Sequence, residues 1–167
     1  MHFHHMCIVR TEIDVQIHFW RDIMDFELKV KMTIPDGEEY GPTTFAPRSL
    51  MRDTFKDHDA RATVALMMSN GGAMIELLQP ELPKVEATPM EKRLYRDSGI
   101  REIAIAVDGI DAFFDKVRAA GYRTQTDYIW SCATMGRSFI FYDKEGNMIQ
   151  MWEHAPAPLT PVAEETA

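Results

Sequence analysis

Two stretches of the chain repeat one another. His4-His5-Met6-Cys7-Ile8 aligns with Arg101-Glu102-Ile103-Ala104-Ile105 at an offset of 97 residues, and Ile13-Asp14 continues onto Ile110-Asp111 without a gap. Gly72-Ala73-Met74-Ile75-Glu76-Leu77 aligns with Gly146-Asn147-Met148-Ile149-Gln150-Met151 at an offset of 74. The drop in offset places about 23 extra residues in the first copy, where a Pro-, Gly- and charge-rich excursion runs over 34–60. Two such copies in 167 residues mean one supersecondary unit used twice, each with an apolar sheet face that it cannot bury alone.

The order of elements within each copy follows from hydrophobic period. Residues 4–9 read as a short strand. Thr11 then stands as the N-cap of a helix whose buried stripe is Ile13, Ile17, Trp20, Ile23 and Met24. Phe26 to Met32 alternates with the period of a half-buried strand, and Thr63–Met68 and 73–78 supply two more, ended by Pro80 and Pro83. In the second copy 101–107 is a strand. Ile110, Phe113, Phe114, Val117 and Ala120 form a helical stripe closed by Gly121, and 137–142 and 148–152 are strands. Each copy reads β-α-β-β-β. The fold class expected is α+β, two repeated β-α-β-β-β modules forming a cupped mixed sheet. A single domain over 1–153 is expected: module one at 3–80 with the inserted loop 34–60, a linker at 81–98, and module two at 99–153. A disordered tail follows at 154–167.

Composition removes several function classes. A net charge of −8 without a Lys/Arg cluster argues against nucleic acid and anionic membranes as partners. No apolar run approaches the roughly 20 residues of a membrane span, and no signal-peptide pattern opens the chain, so a cytoplasmic protein is expected. Cys7 and Cys132 lack CxxC spacing and read as two reduced, buried thiols. There is no Ser-His-Asp pattern, glycine-rich phosphate loop or HExxH, which disfavours nucleophilic hydrolysis and nucleotide chemistry.

The repeat opens with His-His-Met-Cys-Ile-Val. With it stand the phrases Ile17-His18-Phe19-Trp20-Arg21-Asp22, Met74-Ile75-Glu76-Leu77-Leu78-Gln79-Pro80 and Tyr142-Asp143-Lys144-Glu145-Gly146-Asn147-Met148-Ile149-Gln150. Together they resemble the vicinal oxygen chelate superfamily (glyoxalase, bleomycin resistance and extradiol dioxygenase proteins) over about residues 3–153. The resemblance implies that the first and last strands of each module each give one ligand to a divalent metal. At the matching positions stand His5, Glu76, Glu102 and Gln150. Strand alternation agrees: His5 shares a face with Cys7, Glu102 with Ala104, Glu76 with Met74, and Gln150 with Met148 and Trp152.

The chemistry of that set suits a cation. Buried carboxylates that face one another repel unless a positive ion lies between them. One imidazole, two carboxylates and an amide oxygen suit one divalent ion per chain among Mn, Mg, Ni, Co and Zn; a single histidine disfavours Fe. Glu76 and Glu102 are the candidate catalytic bases. Cys7, Met74, Trp130, Met148 and Trp152 are expected to line a pocket for a small, apolar or aromatic, carbonyl-containing substrate. Three functions stay open. The first is a metal-dependent isomerase, epimerase or lyase acting by α-proton abstraction; the second is a metal-free binding or sequestration protein; the third is an extradiol-type dioxygenase. The resemblance also implies a homodimer.

Overall fold

Strand β1 (Met6–Val9) pairs in parallel with β4 (Met74–Leu82). β4 runs antiparallel to β3 (Arg61–Met68), and β3 antiparallel to β2 (Glu27–Ile34). This four-stranded sheet, ordered β1-β4-β3-β2, belongs to the first of two units, Met1–Ala87 and Thr88–Ala167. The computed structural model describes residues 2–96 and 98–156, so most of the expected tail, 157–167, lies outside the described residues.

Helix α1 (Ile13–His18) continues as a π-helical turn over Phe19–Ile23. It packs against β3 and β4, where Ala65, Met67, Ile75 and Leu77 are buried. Trp20 is fully buried, with edge-on rings at 5.5 Å from Phe19 and 5.0 Å from Phe26. The expected Thr11 cap is corrected: Glu12 occupies the N-cap without a side-chain bond, and the Gln79 Oε1 atom accepts the Ile13 N–H at 2.7 Å. A side chain from β4 thus satisfies an orphan donor that local sequence leaves open.

The 34–60 excursion is ordered. Asp36 accepts the N–H groups of Phe45 and Ala46, each at 2.8 Å, and folds the segment back on itself. Helix α2 (Arg48–Phe55) follows. Ala46, Met51 and Phe55 join Ile34, Ala62, Val64 and Leu78 in one apolar cluster.

Pro80 does not end its strand as expected. β4 continues to Leu82, with Pro80 opposite Ala62. The pairing of β1 with β4 stops at Val9 and Leu78, so on that side no partner strand requires the N–H that proline lacks.

The second unit repeats the plan. β5 (Glu102–Ala106) pairs in parallel with β8 (Met148–His154). β7 (Gly136–Tyr142) joins β8, and the two-residue β6 (Trp130–Ser131) joins β7, giving the order β5-β8-β7-β6. β8 runs to His154, and the Ala155 N–H still bonds the Met135 carbonyl, so ordered chain extends past the expected end at 153. Helix α3 (Ile110–Ala119) stops before Gly121, whose φ of +81° carries the chain out of the helix. Glu153 accepts the N–H groups of Gly109 and Ile110 at 3.0 and 3.1 Å, supplying the N-terminal cap that Gly109 cannot. Among the described residues, two mixed sheets with three α-helices make the fold α+β, as the periodicity predicts.

Candidate functional site

Register decides which side chains share a face. In the first sheet one rung reads Cys7, Glu76, Leu66, Val30 and the next Val9, Leu78, Val64, Met32. His5 precedes the first rung on the same face of its strand, beside Met74. In the second sheet the rungs read Glu102, Met148, Tyr142; then Ala104, Gln150, Ile140; then Ala106, Trp152, Ser138, Trp130. His5, Cys7, Met74 and Glu76 therefore share one face of the first sheet. Glu102, Trp130, Met148, Gln150 and Trp152 share one face of the second.

Within the first unit the His5 Nε2 atom lies 3.3 Å from Glu76 Oε2, with side chains 36% and 20% exposed. His4 stands against His5, their Nδ1 atoms 2.6 Å apart. Cys7 is exposed as a residue and Cys132 half-buried, and both are free thiols, which corrects the expectation that both are buried. The Cys7 thiol itself is desolvated. Burial around the sulfur, and then the charge and hydrogen bond of Glu76, push its pKa up to about 12. It is a neutral donor beside an acceptor carboxylate.

Within the second unit the Tyr95 hydroxyl donates to Glu102 Oε2. Burial and that carboxylate hold the phenol above its usual range. The Gln150 Nε2 group donates to Ser138 Oγ at 3.1 Å. Met148 is buried with Ile140 and Tyr142, and Leu94 and Trp130 pack on that cluster. Ala104 and Ala106 are exposed, leaving open floor between the polar positions. Among the described residues no three His, Cys, Asp or Glu side chains gather into a metal cage; each unit supplies a pair of candidate donors.

Two groups escaped the sequence reading. Tyr95 lies in the expected linker, where no periodicity marks it. The apolar cluster under α2 sits on the same face as Glu76: Leu66 is directly opposite Glu76, and Leu78 follows two residues along β4. The alternation within β3 and β4 could have shown this face to be apolar at one end. The helix that covers it could not be read from a segment dominated by Pro, Gly and charge.

Residues 2–151 match the Glyoxalase/Bleomycin resistance protein/Dioxygenase superfamily. The chain belongs to this superfamily. No curated protein matches it. Among solved structures it is similar to a glyoxalase family protein from Bacillus cereus, with a TM-score of 0.75 at 16% identity over 93% of this chain and 95% of that one. It is also similar to a glyoxylase/bleomycin resistance protein/dioxygenase domain from Frankia sp. EAN1pec, with a TM-score of 0.63 at 11% identity and 95% of each chain covered. A third likeness is to a variant of the fosfomycin resistance protein FosX from Listeria monocytogenes. That protein was solved with Mn(II) and 1S,2S-dihydroxypropylphosphonic acid; the TM-score is 0.56 at 12% identity, over 93% of this chain and 90% of that one. At these identities the likenesses speak for the fold. Among the described residues no helix is long and apolar enough to cross a membrane.

Proposed function

We propose that this superfamily member is a metal-dependent isomerase, epimerase or lyase that removes an α-proton from a small carbonyl-containing substrate. The observation that carries the reading is the pairing of His5 with Glu76 at 3.3 Å on an open sheet face, matched by Glu102 and Gln150 on the equivalent strands of the second sheet. One imidazole, two carboxylates and one amide are donor types that suit a divalent cation, and each unit carries a pair of them on one sheet face. Such an ion supplies electrophilic stabilisation of negative charge developing on substrate oxygen.

The remaining work falls to the chain's own side chains. Glu76 is the preferred base; among the described residues its side-chain partners are the neutral Cys7 thiol and the His5 imidazole. Glu102 is already engaged by the Tyr95 hydroxyl, which donates to its Oε2 atom. Leu66, Leu78 and Met74 border Glu76, keep water from one side of it and favour an apolar substrate body. The superfamily's precedent supports a homodimer and a soluble setting.

Elemental mass spectrometry on untagged protein tests the metal, with about one divalent ion per chain expected in the wild type and loss in Glu102→Ala. Exchange of substrate α-hydrogen for deuterium tests the chemistry. A Glu76→Gln/Glu102→Gln double variant that keeps full exchange would refute the mechanism.

A second reading, a metal-free binding protein, has one observation in its favour. Glu102 and Gln150 are both already hydrogen-bonded inside their own unit, to Tyr95 and Ser138. It predicts ligand affinity unchanged by chelator and no metal uptake.

A further inference from the structure

The 34–60 excursion, with β3 and β4, bounds a cavity of about 420 Å³, lined by Glu38, Arg48, His58, Asp59, Arg61 and Leu82. Every lining residue belongs to the first unit. Leu82 is six residues along β4 from Glu76, about 20 Å at the rise of a strand, and the α2 cluster occupies the sheet face between them. This cavity is separate from the site proposed above and does not depend on it.

The charges here are unevenly engaged. Asp59 lies 3.1 Å from His58 Nδ1. Glu38 holds Arg48 Nη2 at 3.4 Å, and Arg48 Nη1 donates to the His58 carbonyl, also at 3.4 Å. Both Arg48 contacts are at the long end for a charged donor, so this guanidinium keeps bonding capacity. Arg61 makes no side-chain hydrogen bond or ion pair among the described residues. Two guanidinium groups with spare donors thus line one concavity, and Leu82, 38% exposed, adds an apolar wall. Planar guanidinium donors match a carboxylate in two-point fashion. Glu38 and Asp59 oppose a second negative charge at the same place.

We propose that this cavity binds a small monocarboxylate, its carboxylate on Arg61 and Arg48 and its short apolar remainder against Leu82. Amide chemical-shift titration of the full chain with sodium butyrate tests this. Saturable shifts are expected at Glu38, Arg48, Asp59, Arg61 and Leu82, with none over Met6–Val9. Affinity should fall at least tenfold in Arg61→Gln, an exposed position whose loss leaves the rest of the spectrum unchanged. Arg48→Gln, on a different element, should do the same, and inorganic phosphate should bind more weakly than butyrate. Linear shifts without saturation, equal affinity in both variants, tighter binding of phosphate, or shifts centred on β1 would each overturn the assignment.

Discussion

Cys7 stands directly beside Glu76 across the parallel pairing of β1 and β4, and its thiol is held protonated there, with a pKa of about 12. At pH 8 so little thiolate forms that alkylation of Cys7 by iodoacetamide should run about 10³-fold slower than for an unperturbed thiol. Mass mapping of the labelled peptide measures it. Glu76→Gln should raise the rate only in part, because burial is the larger cause and remains.

Glu153 ties the last strand to the start of α3. It accepts the Gly109 and Ile110 N–H groups and pairs with Arg137, which also pairs with Asp111. The Ile110 N–H first, and then Arg137, hold the Glu153 carboxyl below its usual range. A carboxyl depressed in the folded state stabilises it above the unfolded pKa and loses that contribution as pH falls through the folded value. The urea midpoint of Glu153→Gln should therefore lie below wild type at pH 7, and the gap should close as the pH is lowered through the acid range. A constant gap down to the lowest pH would show that packing, not charge, is involved.

Met51 is 2% exposed and anchors α2 on the sheet. Met51→Ala should cost about 2–5 kcal/mol by guanidinium denaturation, from lost transfer energy plus the residual cavity. Hydrogen exchange should show Arg48–Phe55 opening first.

Gly136 has φ +144°, and a Cβ there would lie 2.0 Å from the Glu153 carbonyl oxygen. That neighbour is backbone and cannot swing aside. Gly136→Ala should break the start of the β7–β8 pairing, with loss of soluble expression or a drop of several degrees in melting temperature as the readout.

Much of this architecture could be read from the residues because each copy of the repeat carries its own period. Alternation alone puts His5 with Cys7, and Glu102 with Ala104, and the His5–Glu76 contact and the strand register agree. The misses share one cause, which is a long-range partner replacing a local signal. Gln79 caps α1 where Thr11 is the nearer candidate, and β4 passes through Pro80 because β1 has already stopped. Helix α2 escaped notice because its one buried residue, Met51, is too little for a period to show, and it is held by packing with Ala46 on Ile34, Ala62 and Val64. Tyr95 reaches Glu102 from a segment with no pattern to read.

Pro80 has a consequence for how these molecules meet one another in solution. After Val9, and the Arg10 N–H that bonds the Leu78 carbonyl at 2.7 Å, no strand pairs with the β1 side of β4 among the described residues, and unpaired strand backbone ordinarily invites a strand from a neighbouring molecule to add on. Pro80, itself buried, removes a donor from the start of that unpaired stretch, and Pro83 follows just beyond the strand's end. The first sheet thus discourages edge-to-edge aggregation by chemistry already in its own strand, at the one place where its parallel neighbour runs out.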